Sequence, residues 1–200
     1  MRDPVNIMEV VTLQPDFMGF IFYPGSKRFV GDAFEIPKHF PKEIKKTGVF
    51  VNTPVFEVIE KIQKYKLNAV QLHGAESLEQ CSELRTHAKV IKVFLVDEKF
   101  NFAITDQYRD ACDYFLFDTK SESLGGSGRS FDWKLLNKYK GNIPFFLSGG
   151  LSPDNITDAM KLDHPAFFAV DVNSGVESGY GIKDIDKIVN FKSKIVNLTK

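Results

Sequence analysis

Polar residues with catalytic potential recur in this sequence at one kind of place, directly after a short apolar run. Asp118 closes the run Tyr114-Phe115-Leu116-Phe117. A carboxyl at the end of an apolar strand can have its pKa raised by burial and act as a general acid near neutrality. The same residue type also serves as a solvated strand end or a helix cap, and the sequence leaves both readings open. His73 follows Val70-Gln71-Leu72, where it can move a proton, hydrogen-bond a substrate or simply close a strand. Arg28 follows the Pro24-Gly25 turn. Its planar fork can grip a carboxylate with two parallel hydrogen bonds, a plain surface arginine being the alternative. Gln71 and Asp171, also at run ends, complete the candidate substrate-binding set.

Glycine-rich turns follow the last apolar runs: Gly125-Gly126-Ser127-Gly128, Ser148-Gly149-Gly150 and Asn173-Ser174-Gly175. Glycine lets backbone N–H groups approach an anion closely. Gly126, Ser127, Gly128, Gly149, Gly150, Ser174 and Gly175 are therefore candidate phosphate contacts, tight turns being the plainer reading. There is no Cys-x-x-Cys, His-Glu-x-x-His or Walker loop, so no motif calls for a metal, nucleotide or other cofactor.

The runs themselves read as strands: 17–22, 48–52, 69–73, 90–96, 114–118, 144–148 and 167–172. Most are almost continuously apolar, as strands covered on both faces of a parallel sheet must be. Between them lie helical spacings. Val55, Val58, Ile59 and Ile62 share a face behind Asn52/Thr53 as cap and Pro54 in the first turn. Glu76 to Arg85 aligns Leu78, Cys81 and Leu84; Ser152-Pro153 opens a helix with Ile156 and Met160 inward; Asp184 to Val196 carries Ile185, Ile188, Val189, Phe191 and Ile195. Strand alternating with helix predicts βα units, repeating at roughly 20–30 residues, in one domain over residues 1–200. In a (β/α)8 TIM barrel, chemistry sits where strands end and phosphate sites follow the late strands.

Eight strands close such a barrel, yet only seven runs are present, and a helix start, Asp3-Pro4, precedes the first of them. The expected fold is therefore an α/β TIM barrel whose first strand is absent from the 200 residues, an open seven-stranded sheet being the alternative. The totals fit one well-filled domain: 43% hydrophobic, 26% charged and 19 Phe. Lys plus Arg and Asp plus Glu balance at 26 each, so no global field draws nucleic acid or an anionic membrane, and any anion site must be local. Two cysteines, Cys81 and Cys112, do not make a disulfide framework and point to a reducing cytoplasm. No apolar run reaches the roughly 18 residues of a membrane span, and Met1-Arg2-Asp3-Pro4 does not open a signal peptide.

Together the segments resemble phosphoribosylanthranilate isomerase of tryptophan biosynthesis. The resemblance is carried by Met1-Arg2-Asp3-Pro4, Gly19-Phe20-Ile21-Phe22-Tyr23-Pro24 with Ser26-Lys27-Arg28, Gly48-Val49-Phe50-Val51-Asn52, Val70-Gln71-Leu72-His73-Gly74, Phe117-Asp118-Thr119, Gly125-Gly126-Ser127-Gly128 with Phe131-Asp132-Trp133, Leu147-Ser148-Gly149-Gly150-Leu151 and Asp171 to Glu177. It implies an Amadori rearrangement of N-(5-phosphoribosyl)anthranilate without a cofactor, the ligand being a small sugar phosphate and the protein a monomer or homodimer. It places the general acid at Asp118, the carboxylate clamp at Arg28 and the phosphate in the glycine loops.

The family pattern begins with a strand ending in Lys-x-Cys-Gly, whose Cys takes the proton from C2. That segment would precede Met1. The expectation is a start placed at an internal Met, a gap between the strands at 17–22 and 167–172, and activity well below the family's. Two other readings stay open. Another sugar-phosphate barrel, of the ribulose-phosphate epimerase or histidine-pathway kind, would call for metal-binding His and Asp or for a twofold repeat. A non-catalytic phosphate-binding or partner-binding barrel is the other, which the missing Cys keeps open.

Overall fold

A computed structural model describes residues 1–120 and 130–196. Seven strands form one parallel sheet in strict sequence order: β1 (Phe17–Ile21), β2 (Lys45–Phe50), β3 (Ala69–Leu72), β4 (Lys89–Val96), β5 (Tyr114–Thr119), β6 (Phe145–Leu147) and β7 (Phe167–Val170). Every adjacent pair is parallel. The sheet curls into an open barrel, and β1 and β7 form no ladder with each other. The gap expected from counting runs lies where it was placed. On the β1 side of this seam the Met1 ammonium donates to the Gly19 carbonyl at 3.0 Å.

Alternation along β4 shows how the sheet divides its two faces. Ile91 and Val93 face the barrel interior with Ala69, Leu116 and Phe146. Val90, Phe94 and Val96 join the larger core beneath the helices. Rings meet at the base of the interior. Phe17 of β1 packs edge-on against Phe146 at 5.2 Å and reaches Phe168 of β7 at 6.5 Å. Tyr114 lies 5.5 Å from Phe146 and 5.1 Å from Phe168. Aromatic pairs at these separations attract beyond their buried area, so the cluster draws both edge strands toward one centre.

The helices are α1 (Pro4–Val11), α2 (Val55–Tyr65), α3 (Leu78–Arg85), α4 (Ile156–Ala159) and α5 (Ile185–Val196). α1 starts as Asp3-Pro4 predicts, with the Asp3 carboxylate accepting from Asn6 N–H at 2.8 Å. α3 opens with a reciprocal capping box between Ser77 and Gln80. α2 departs from expectation. Pro54 is its N-cap and makes no side-chain cap bond. Asn52, expected to cap, instead has φ 50° and accepts from Ala75 N–H at 2.6 Å. The helix after Ser152 is only one turn long, and the connections at Phe102–Tyr108 and Trp133–Lys138 are 3-10 turns. An antiparallel pair that no apolar run announced, β8 (Glu177–Gly179) and β9 (Ile182–Lys183), follows β7.

Candidate active site

The functional side chains cluster because each sits at or just past the C-terminal end of a parallel strand. His73 N–H donates to Phe50 O, Ser148 N–H to Phe117 O, and Asp171 N–H to Leu147 O, each extending the ladder by one residue past its strand. Gln71, His73, Asp118, Ser148 and Asp171 thereby ring one mouth of the barrel. They line a cavity of about 1090 Å³ that runs from this end into the β1–β7 seam.

His73 and Asp118 form the centre. His73 Nε2 stands 3.5 Å from Asp118 Oδ2. Gln71 Nε2 lies 3.2 Å from His73 Nδ1. The amide can only donate to that ring nitrogen if Nδ1 is unprotonated, which leaves the proton on Nε2, facing Asp118. Burial lowers the His73 pKa, with the Asp171 carboxylate opposing, so the ring stays neutral at neutral pH. Burial raises Asp118, although the Thr119 N–H bond to Oδ1, at 2.7 Å, favours the anion. Asp171 is raised as well, by burial first and by the charge of Asp118 second, against a 3.0 Å hydrogen bond from Ser148 Oγ. Burial thus pushes both carboxyls and the imidazole in the direction of their neutral forms.

The turn after β6 forms a shelf beside Asp118. Gly149 and Gly150 have φ 88° and 67°, a backbone region open to glycine at no steric cost. A Cβ on Gly149 would strike Thr119 Oγ1. Asn155 staples this turn, accepting from Ser152 N–H at 2.9 Å and donating to Gly150 O at 2.8 Å. Ser174 lines the same cavity. Gly175 instead packs where a Cβ would meet the Leu151 carbonyl, so its bareness joins the loops after β6 and β7. The expected phosphate contacts Gly126, Ser127 and Gly128 lie outside the described residues.

Arg28 reaches the cavity from the long segment between β1 and β2. Rings anchor that segment: Phe34 packs against Phe20, Phe22 and Tyr65, whose hydroxyl donates to Phe34 O at 3.1 Å. The Arg28 guanidinium is already engaged. Nε contacts both Glu177 oxygens at 3.0 and 2.9 Å, and Nη2 donates to Oε2 at 2.7 Å. Sequence reading missed this partner, which is 149 positions away. It also missed Lys92, buried with Glu76 at 2.8 Å. Lys92 Nζ donates to Gly74 O at 2.7 Å, and Glu76 accepts from Asn52 and Gly74 N–H, so the pair fixes the loop behind His73. A lysine inside the run Val90-Ile91-Lys92-Val93 was the available signal, since such a charge is buried only with a partner.

The fold and this cavity define the class: a β/α-barrel enzyme. The family model of N-(5'phosphoribosyl)anthranilate (PRA) isomerase matches residues 1–194, and the chain belongs to that family. An N-(5'-phosphoribosyl)anthranilate isomerase of Parabacteroides distasonis is 45% identical over 98% of this chain and 91% of its own length. The crystal structure of phosphoribosyl anthranilate isomerase from Thermotoga maritima superposes with a TM-score of 0.86 at 34% identity, over 98% of this chain and 96% of that one. A further isomerase structure, in complex with reduced 1-(o-carboxyphenylamino)-1-deoxyribulose 5-phosphate, has a TM-score of 0.82 at 32% identity, over 98% of this chain and 95% of that one.

Proposed function

We propose that this chain, as a single domain over residues 1–200, carries out the isomerisation for which its family is named, with Asp118 as the general acid. The observation that carries the assignment is the Asp118 carboxyl, raised by burial, in the wall of the cavity that also holds the Gly149-Gly150 shelf. The neutral acid gives its proton to the ribose ring oxygen. The C1–O bond breaks, and the anilino nitrogen lone pair forms C1=N. Loss of the C2 proton then sends the C2–H electrons into C1=C2 while the C1=N π pair returns to nitrogen. The resulting enolamine becomes the ketone when C1 takes up a proton and the C2 hydroxyl loses one. C1 is reduced and C2 oxidised within one molecule, so the step needs no redox partner.

Around this centre, Gln71, His73 and Asp171 hold the open-chain sugar. Arg28 faces the anthranilate carboxylate. Gly149, Gly150, Ser174 and Gly175, with Gly126, Ser127 and Gly128, hold the phosphate. Neither cysteine serves as the C2 base: Cys81 and Cys112 are fully buried and do not line the cavity. Both thiols are free, which suits a reducing cytoplasm. Turnover of N-(5-phosphoribosyl)anthranilate, generated in place from anthranilate and phosphoribosyl pyrophosphate by the preceding transferase, tests the reading. Binding of the reduced product analogue with no turnover even after a thiol-bearing strand is supplied would overturn it in favour of a binding protein.

A further inference from the structure

Behind Arg28 lies a buried polar chain that the isomerisation does not require. Arg28, Lys183 and Asn6 are 8%, 9% and 5% exposed, and the Glu177 side chain is 6% exposed. Lys183 Nζ donates to Glu177 Oε1 at 3.1 Å, to Asn173 O at 2.8 Å and to Asn173 Oδ1 at 2.6 Å. Gly181 N–H also donates to Glu177 Oε1, at 3.2 Å. Asn6 grips the Lys183 backbone at both ends, accepting from its N–H at 2.7 Å and donating to its carbonyl at 2.9 Å. The β8–β9 register sets Glu177 directly opposite Lys183.

Such a chain is a poor way to gain stability, because burying the charges costs about what their attraction returns. Its layout points to another use. Arg28, Lys183, Asn173 and Ser174 line the cavity, whereas Glu177 does not. Glu177 occupies Nε and one edge of Nη2, and among the described residues Arg28 Nη1 makes no hydrogen bond. The Tyr180 ring lies 5.2 Å from the guanidinium carbon and limits its tilt. The guanidinium is thus held by its back edge, with its other edge free.

We infer that Glu177 is a specificity-determining positioning residue: it fixes the plane of Arg28 so that the free edge receives the carboxylate of the substrate's aromatic ring. Lys183 ties the same Glu177 to Asn173, next to the loop at Ser174-Gly175. The clamp for one anionic end of the ligand and the loop for the other are thereby held at a set span. Glu177 acts through Arg28 and touches no substrate. The inference rests on the functional reading above.

The test is calorimetric titration of the reduced carboxyphenylamino deoxyribitol phosphate and of its phenyl counterpart lacking the carboxyl, into wild type and E177Q. Wild type is expected to prefer the carboxylated compound by roughly 10- to 100-fold, as for a charge-assisted bidentate pair. In E177Q that preference falls about tenfold or more, while affinity for the phenyl compound changes by less than about threefold. R28K, which keeps the charge and loses the fork, loses the same preference, and R28K/E177Q loses no more than R28K alone. Equal loss of both affinities in E177Q means a merely structural role and overturns the inference. So does tighter binding of both compounds, which would make Glu177 only a counter-charge. If E177Q does not fold, a preference retained in R28K overturns the inference and its loss supports it. Wild type that binds neither compound overturns the functional reading itself, an outcome distinct from the others because it precedes any substitution.

Discussion

His73 Nε2 and Asp118 Oδ2 face each other at 3.5 Å, and burial moves the two groups' pKa values in opposite directions, the imidazole down and the carboxyl up. Both shifts favour the neutral forms. Burial thus works against an ion pair between these two groups. A protonated His73 at that distance would favour the Asp118 carboxylate, so a neutral ring helps keep the proton on Asp118.

Asp118→Asn keeps shape and polarity but removes the transferable proton. Turnover is expected to fall by roughly 10²- to 10⁴-fold. Affinity for the reduced product analogue should stay within about threefold of wild type. Steady-state kinetics and titration on the same preparation separate the two effects, and a parallel loss of binding would contradict the acid assignment.

Asp171 gives a stability prediction with a defined sign. Its folded pKa is raised by burial and by Asp118, so the folded protein holds that proton more tightly than the unfolded chain does. The resulting contribution is fully present below the unfolded carboxylate value, about 3.9, and is lost as pH rises through the folded value. At neutral pH the ionised group is a liability. Asp171→Asn should therefore raise the thermal midpoint at about pH 7–8, and the gain should shrink as pH falls toward about 4. A gain that grows on acidification would show that the shift has the opposite sign.

The Glu76–Lys92 pair, with side chains 2% and 4% exposed, should behave as a buried ion pair does. Lys92→Met alone leaves the Glu76 carboxylate without its cation and is expected to cost about 3–5 kcal/mol. Replacing both residues with apolar side chains of similar volume should cost much less in urea unfolding, while turnover stays depressed because the His73 loop loses its anchor. Recovery of both stability and rate in the double variant would assign the pair to packing alone.

The seam between β1 and β7 bears on rate as well as fold. No cysteine of residues 1–200 lines the cavity. Turnover by these residues is expected to lie about 10²–10⁴-fold below that of a relative with a thiol base. Appending a strand that ends in Lys-x-Cys-Gly ahead of Met1 should raise both the thermal midpoint and the rate. The same strand with Ser for Cys should raise only the first.

The order of strands was legible because parallel strands buried on both faces need unbroken apolar runs, and Phe115 to Phe117 or Phe145 to Leu147 can serve little else. The gap between β1 and β7 was legible too, since seven apolar runs stand where a closed barrel has eight strands. The β8–β9 pair was not legible. Glu177–Gly179 and Ile182–Lys183 are too short and too polar to show a period, and their pairing is held by Asn6 and Lys183 rather than by apolar alternation. Asn52 looked like a helix cap because caps and left-handed turns favour the same short polar side chain. Asp118 and His73 were each legible as strand-end residues. Their facing geometry was not, because it depends on how far the sheet curls between β3 and β5.

The ring contacts at the barrel floor give the seam a mechanical character. Phe17 and Phe168 join the two edge strands through ring surfaces, at 6.5 Å and 81°. A peptide ladder is directional and can shift only by whole residues. Aromatic edges tolerate continuous sliding and tilting. Six strand pairs of this barrel are thus joined by ladders, while β1 and β7 meet through rings instead.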